Sequence, residues 1–187
     1  MTMEKIQTEY AKDLVKHFEL EDDGKSIFKE ELKTIEFLEL LISNKFYMDA
    51  INLLSHSLPK REAVWWACIC AKKHKKSVND ELYNKALAAA EKWVYDPSEK
   101  NRRVAEFYAE KSQYESAASW VAAAAFWSGD SIMPEGEPVV APAQYLYSHA
   151  IRGCIITCVG MDDGTEPDDR YKTYLTHGIN IAKGGNG

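Results

Sequence analysis

Pro59-Lys60-Arg61-Glu62-Ala63-Val64-Trp65-Trp66-Ala67-Cys68-Ile69-Cys70-Ala71 is the stretch that decides the fold. Proline suits the first turn of a helix, where its missing N–H would have no intrahelical partner. From Ala63 to Ala71 every residue is small or apolar, with no alternation that would suit a half-exposed strand. Adjacent tryptophans on a helix point about 100° apart, so Trp65 and Trp66 are both buried only if other helices pack on several sides. The stretch therefore reads as the central helix of an all-α fold. Its basic end, Lys72-Lys73-His74-Lys75-Lys76, places positive charge where the helix dipole favours it.

The surrounding sequence repeats the helical pattern. Before it, Phe28, Leu32, Ile35, Leu38 and Ile42 form one apolar stripe, and Phe46, Ala50, Leu53 and Leu54 form another after Asn44. So short a connection predicts two antiparallel helices. After it come Leu82, Ala86, Ala90 and Trp93, and then Asp96-Pro97-Ser98-Glu99, which reads as an N-cap Asp with proline in first position. Val104, Phe107 and Tyr108 supply that helix's stripe. Ser112-Gln113-Tyr114-Glu115 has the spacing of a capping box and predicts an Ala-rich helix through Trp120 to Trp127, closed at Gly129. Helix pairs thus recur at roughly 35–40 residues, the order of a helical-hairpin array, without a tetratricopeptide-type consensus. The expected fold is a compact bundle of about eight helices with hairpin-like order in its first two thirds. Its expected core holds Trp65, Trp66, Trp93, Trp120 and Trp127.

At the N-terminus, Ile6, Tyr10, Leu14 and Phe18 predict an amphipathic helix, followed by an acidic loop at Glu19–Lys25. The expected organisation is this segment, residues 1–25, beside a single helical domain over 26–187. Gly24, Pro59 and Pro97 are the only glycine or prolines before Gly129; the other nine glycines, Gly129 included, and four prolines lie from there on. Residues 128–142, with Pro134, Gly136, Pro138 and Pro142, therefore form a long loop. A helix is expected over Tyr145–Val159, an acidic turn over Gly160–Asp169, and a last helix carrying Tyr171, Tyr174, Leu175, Gly178, Ile179 and Ala182.

Composition narrows the function. In 187 residues the formal charge is −6, which gives no support to a broad nucleic-acid or anionic-membrane surface. The longest apolar runs are well short of the ~20 residues of a membrane span, and the first residues lack the apolar core of a signal peptide. Cys68, Cys70, Cys154 and Cys158 lie within helical stretches, unlike a secreted disulfide framework, so a cytoplasmic location with reduced thiols is expected. Cys154 and Cys158 share a helix face, yet His149 is turned away and Cys68 and Cys70 diverge, so no metal site is expected. Asp162-Asp163-Gly164-Thr165-Glu166-Pro167 lacks the alternating ligands of an EF-hand loop. Phosphate-binding glycine loops, nucleophile elbows and zinc-protease motifs are missing, so no catalytic residue and no cofactor are assigned.

Three polar segments are left over from packing: Lys60-Arg61-Glu62, Arg102-Arg103, and Ser128 with Asp130. Gathered at one end of the bundle they would form a polar surface for a protein partner; as isolated helix-end charges they would only make surface ion pairs.

Leu58-Pro59-Lys60-Arg61-Glu62-Ala63-Val64-Trp65-Trp66-Ala67-Cys68, Asp96-Pro97-Ser98-Glu99 with Asn101-Arg102-Arg103, and Ala125-Phe126-Trp127-Ser128-Gly129-Asp130-Ser131 also resemble an uncharacterised bacterial family of unknown function. The likeness runs over about residues 30 to 183. Its members are sometimes encoded beside type VI secretion components, which implies an accessory, adaptor or chaperone near a secretion apparatus. It brings no catalytic residues. A non-enzymatic protein-interaction module is therefore the leading expectation. An immunity protein that neutralises a toxin and an enzyme of unrecognised class are the alternatives.

Overall fold

The computed structural model describes residues 3–74, 80–160 and 164–187. Lys75 and Lys76 of the basic run, and Asp162 and Asp163 of the acidic turn, lie outside them. The fold is all-α. In chain order the helices are α1 (Lys12–Val15), α2 (Asp22–Ile27), α3 (Thr34–Ser43), α4 (Tyr47–Ser57), α5 (Lys60–His74), α6 (Glu81–Tyr95), α7 (Glu99–Lys111), α8 (Ala117–Trp127), α9 (Leu146–Val159) and α10 (Pro167–Ala182). Among the described residues the only strand-like pairing is an isolated antiparallel bridge between Tyr10 and Lys33.

Backbone contacts gather the chain into two units, Met1–Pro59 with Gly164–Gly187, and Lys60–Asp163. The divisions fall after Pro59 and before Gly164. In the first unit α3 packs on α4, and α4 also meets α1 and α10. The helix expected from Ile6 to Phe18 forms only as the single turn α1. The reason is backbone pairing: Ala11 N donates to Leu32 O at 3.1 Å and Thr34 N to Glu9 O at 2.8 Å, bonds that hold this stretch extended. Within the expected acidic loop α2 begins, and its first turn carries Asp22 and Asp23, favoured at a helix N-terminus. The buried Asp49 of α4 accepts from Glu21 N at 3.1 Å, fixing the entry to that turn.

The second unit is built by consecutive helices folding back on one another: α5 on α6, α6 on α7, α7 on α8 and α8 on α9. Here α8 is the hub. It packs against α5, α6, α7 and α9, whereas α5, expected at the centre, meets α6, α8 and α9. Alanine explains the difference. Ala117, Ala118 and Ala122–Ala125 are buried with almost no side chain to accommodate, so four backbones approach α8 closely. Trp66 and Trp93 are buried, but Trp65, Trp120 and Trp127 are only half-buried. The five-tryptophan core is thereby corrected. Trp65 meets the exposed Tyr95 edge-on at 5.8 Å, and alanines fill the sides of α8 that its indoles would have filled. Trp120 instead lies over Gly153 of α9, where a Cβ would come within 3.1 Å of the indole.

Two caps shift by a few residues. The cap residue of α7 is Ser98; Asp96 instead accepts from Asn101 Nδ2 at 2.8 Å. Ser112 closes α7 rather than opening α8, because Gln113 and Tyr114 adopt left-handed backbone angles. The capping box belongs to Ser116 and Ser119, which exchange backbone-to-hydroxyl bonds of 2.9 and 3.1 Å.

Candidate functional site

The polar segments picked from sequence all lie in the second unit, and what they touch decides what they can do. Glu99, in the first turn of α7, has Arg102 and Arg103 three and four residues on, the spacing that brings side chains together on a helix. Arg102 Nε and Nη2 reach its two carboxylate oxygens at 2.6 and 2.7 Å, and Arg103 Nε reaches it at 2.7 Å. Hydrogen bonding from Arg102, reinforced by Arg103, holds the Glu99 carboxyl below its usual range despite some opposing desolvation.

The remaining donors of the two arginines reach the end of α8, Glu106 and the loop. Arg102, only 4% exposed, donates through Nη1 to Phe126 O and through Nη2 to Ser131 O, both at 2.8 Å. Arg103 donates to Glu106 at 2.9 Å and to the carbonyl of Met133. Both guanidinium groups also lie over the Phe126 ring, 4.9 and 5.4 Å from its centre. Gly129 runs so close to Arg102 that a Cβ would sit 2.4 Å from its Cδ. Lys60 bonds the Ser128 carbonyl at 3.1 Å, and the Ser128 hydroxyl donates to Ala124 O at 2.7 Å. Arg61 turns elsewhere, donating to Val94 O at 2.6 Å. Glu62 is half-buried on α5.

These contacts clamp the root of the loop, and the loop closes on itself. Ile132 N donates to Val140 O at 2.8 Å, and the Ser131 hydroxyl accepts from Met133 N and Val140 N at 3.1 and 3.2 Å. Glu137 N bonds Pro134 O across a turn in which Gly136 has φ +92°. The clamped loop then presents Val139, 76% exposed, with Val140 and Ile132 also exposed. Asp130, Glu135 and Glu137 are exposed beside them and make no ion pair among the described residues. Between loop and helices lies an open cleft of about 630 Å³, floored by Trp93, Arg102 and Arg103 and edged by these three acids.

A family model matches residues 37–182. The chain belongs to DUF6931, a family of unknown function. The DUF6931 match takes in every residue of the clamp and the whole loop, and leaves α1 and α2 outside it. No curated protein and no solved structure matches the chain.

Of the predicted residues, then, Arg102, Arg103, Ser128 and Lys60 meet around the loop, Asp130 stands on its rim, and Arg61 turns to Val94 O instead. Sequence reading missed Glu99 as the hub, although its spacing to the two arginines was legible. It also missed Val139 and Val140, which carry no signal beyond lying between prolines. Among the described residues no group of three His, Cys, Asp or Glu side chains is placed to hold a metal ion. The four cysteines are buried and unpaired, and burial pushes the thiols of Cys68, Cys70 and Cys154 well up. Among the described residues no helix is long and apolar enough to cross a membrane.

Proposed function

We propose that this member of DUF6931 is a non-enzymatic protein-interaction module that engages its partner through the loop at 128–142. The observation that carries the reading is the exposure of Val139, at 76%, on a loop whose root is fixed by carbonyl bonds from two arginines. An apolar side chain held out in a fixed geometry binds with less ordering cost than one on a mobile segment. The unpaired Asp130, Glu135 and Glu137 beside it define the complement: a protein surface with an apolar pocket edged by lysine or arginine. An accessory or adaptor role beside a protein secretion apparatus is the cellular setting this reading favours, resting on the sequence resemblance.

The test is site-specific photocrosslinking in cells with the reactive group at position 139, against a control at the similarly exposed Tyr95 on α6. One discrete adduct from 139 alone, abolished by Val140→Asp without loss of thermal stability, is the expected result. Equal yields from the two positions, or no adduct from 139, would refute it.

A further inference from the structure

Where the loop returns to α9, a second and smaller cleft opens, of about 280 Å³, lined by Lys60, Trp127, Pro142, Gln144, Tyr145 and Tyr147. That lies just below the ~300–1,000 Å³ of small-molecule sites, a size suited to one or two side chains of a peptide. Its walls are aromatic, and the backbone is bent to make them so. Tyr145 has φ +63°, a left-handed conformation disfavoured for a side chain with a Cβ. Strain of this kind gathers where a site over-determines the chain.

The aromatic surface continues past the cleft. Trp127 is stacked with Tyr114 at 6.2 Å and 13°, and Tyr114, itself at φ +59°, meets Trp120 at 5.9 Å. Both tryptophans are half-exposed. The result is a row of ring faces ending in a cleft, with two of its rings mounted on left-handed residues.

Two of the cleft's polar groups, on Trp127 and Lys60, are donors with bonds still to give. The Trp127 indole N–H makes no hydrogen bond among the described residues. Lys60 Nζ lies 5.9 Å from the centre of the Tyr147 ring and gives one bond, to Ser128 O, out of the three an ammonium can give. None of the lining residues is acidic, and Lys60 is the one charged group among them. A ligand suited to these groups offers apolar rings, carbonyl acceptors and no positive charge.

A polyproline II segment has that chemistry. It makes no internal hydrogen bonds, so its carbonyls face outward, and its pyrrolidine rings dock on aromatic grooves. Pro142 of the chain's own loop already forms one wall of the cleft. We infer that this cleft docks a proline-rich, acidic segment of a partner protein, with a prolyl ring against the half-buried Trp127 and Tyr145 and peptide carbonyls accepting from Trp127 and Lys60. This rests on the reading that the chain binds proteins, and places a second contact apart from Val139.

The test titrates the full chain with a capped oligoproline peptide carrying a glutamate pair at one end, followed by calorimetry and by the indole N–H signals in NMR. Controls are the same peptide ending in lysines, a glutamate-bearing peptide of alanine and glycine, and a neutral oligosaccharide. Saturable binding of the glutamate–oligoproline peptide is expected, with the Trp127 indole signal shifting most. Trp127→Phe should weaken it about tenfold. Lys60→Met should weaken it by about fivefold and remove the preference over the lysine-ended peptide. No saturable binding, equal binding of the alanine–glycine peptide, saturation by the oligosaccharide alone, or affinity unchanged in both variants would each overturn the inference. An adduct from position 139 that survives while oligoproline fails would overturn this cleft alone and leave the loop reading standing.

Discussion

Replacing Arg102 by methionine isolates the clamp. Methionine keeps much of the side-chain volume against Phe126 but removes four hydrogen bonds, two to Glu99, one to Phe126 O at the end of α8 and one to Ser131 O in the loop. Hydrogen bonds from a charged donor contribute ~1.5–3 kcal/mol each, and a buried carbonyl left without a donor loses most of that. Phe126 O is buried and keeps only a long bond from Gly129 N at 3.3 Å beside the helix-end contact of Ser128 N, while Ser131 O is closer to solvent and regains part through water. The Glu99 share is small. Its side chain is 48% exposed and keeps Arg103, so solvent screening holds the lost pair below ~1 kcal/mol. The sum is about 3 kcal/mol. For a chain of this length melting as one, that lowers Tm by about 6–12 °C. Hydrogen exchange gives the sharper reading, since the Ile132 N–H bonded to Val140 O should lose protection in the variant while amides in α5 change less. Arg102→Lys should recover under half the loss, because one ammonium cannot span both carbonyls and the carboxylate. A Tm shift under ~3 °C with Ile132 protection intact would show that the arginine is not what holds the loop.

Gly129→Ala should destabilise by about 1–3 kcal/mol, measured by urea unfolding, because its Cβ collides with the Arg102 side chain 2.4 Å away. Wild-type stability would show that the guanidinium has room to move. Glu99 has a lowered folded pKa, so its contribution is present above the ordinary carboxylate value near 4.5 and is lost as pH falls through the folded value. Stability curves of wild type and Glu99→Gln should therefore converge below about pH 4.5, and parallel curves would contradict the ion-pair assignment. Trp66→Ala should cost about 3–5 kcal/mol by cavity formation, since Trp66 is fully buried, and an unchanged Tm would place the indole at the surface. All four buried thiols should resist a disulfide reagent in the native protein and react together on unfolding; a fast phase without denaturant would show an accessible cysteine.

Local patterns with strong physical causes were legible. The apolar run after Pro59 does form a long helix, and Asp96-Pro97-Ser98-Glu99 does precede another. Where two local signals competed, tertiary contacts decided. Ser112 and Ser116 both offer a hydroxyl, but left-handed turns at Gln113 and Tyr114 end α7 first and leave the cap to Ser116. The spacing at Ile6, Tyr10 and Leu14 satisfied a helix, yet residues 9–11 are bonded to residues 32–34 instead. Hub status also escaped the pattern. A run of alanines carries little hydrophobic weight, and its importance lies in how near it lets four other helices come.

The polar residues show why site prediction stopped where it did. Residue type and spacing put Glu99, Arg102 and Arg103 together, but the carbonyls that take up the guanidinium donors lie 29 and 30 residues away at Ser131 and Met133. Sequence therefore showed the donors and could not show that they were already engaged. That distinction changes the partner. An anionic ligand at Arg102 would have to break up to four bonds inside the clamp, releasing the loop it sits on, and would approach past Asp130, Glu135 and Glu137. The arginines are thus better placed to build a binding surface than to be one. The surface they build is apolar at Val139 and negative at its rim, so a partner that recognises it must bring an apolar pocket with positive charge around it.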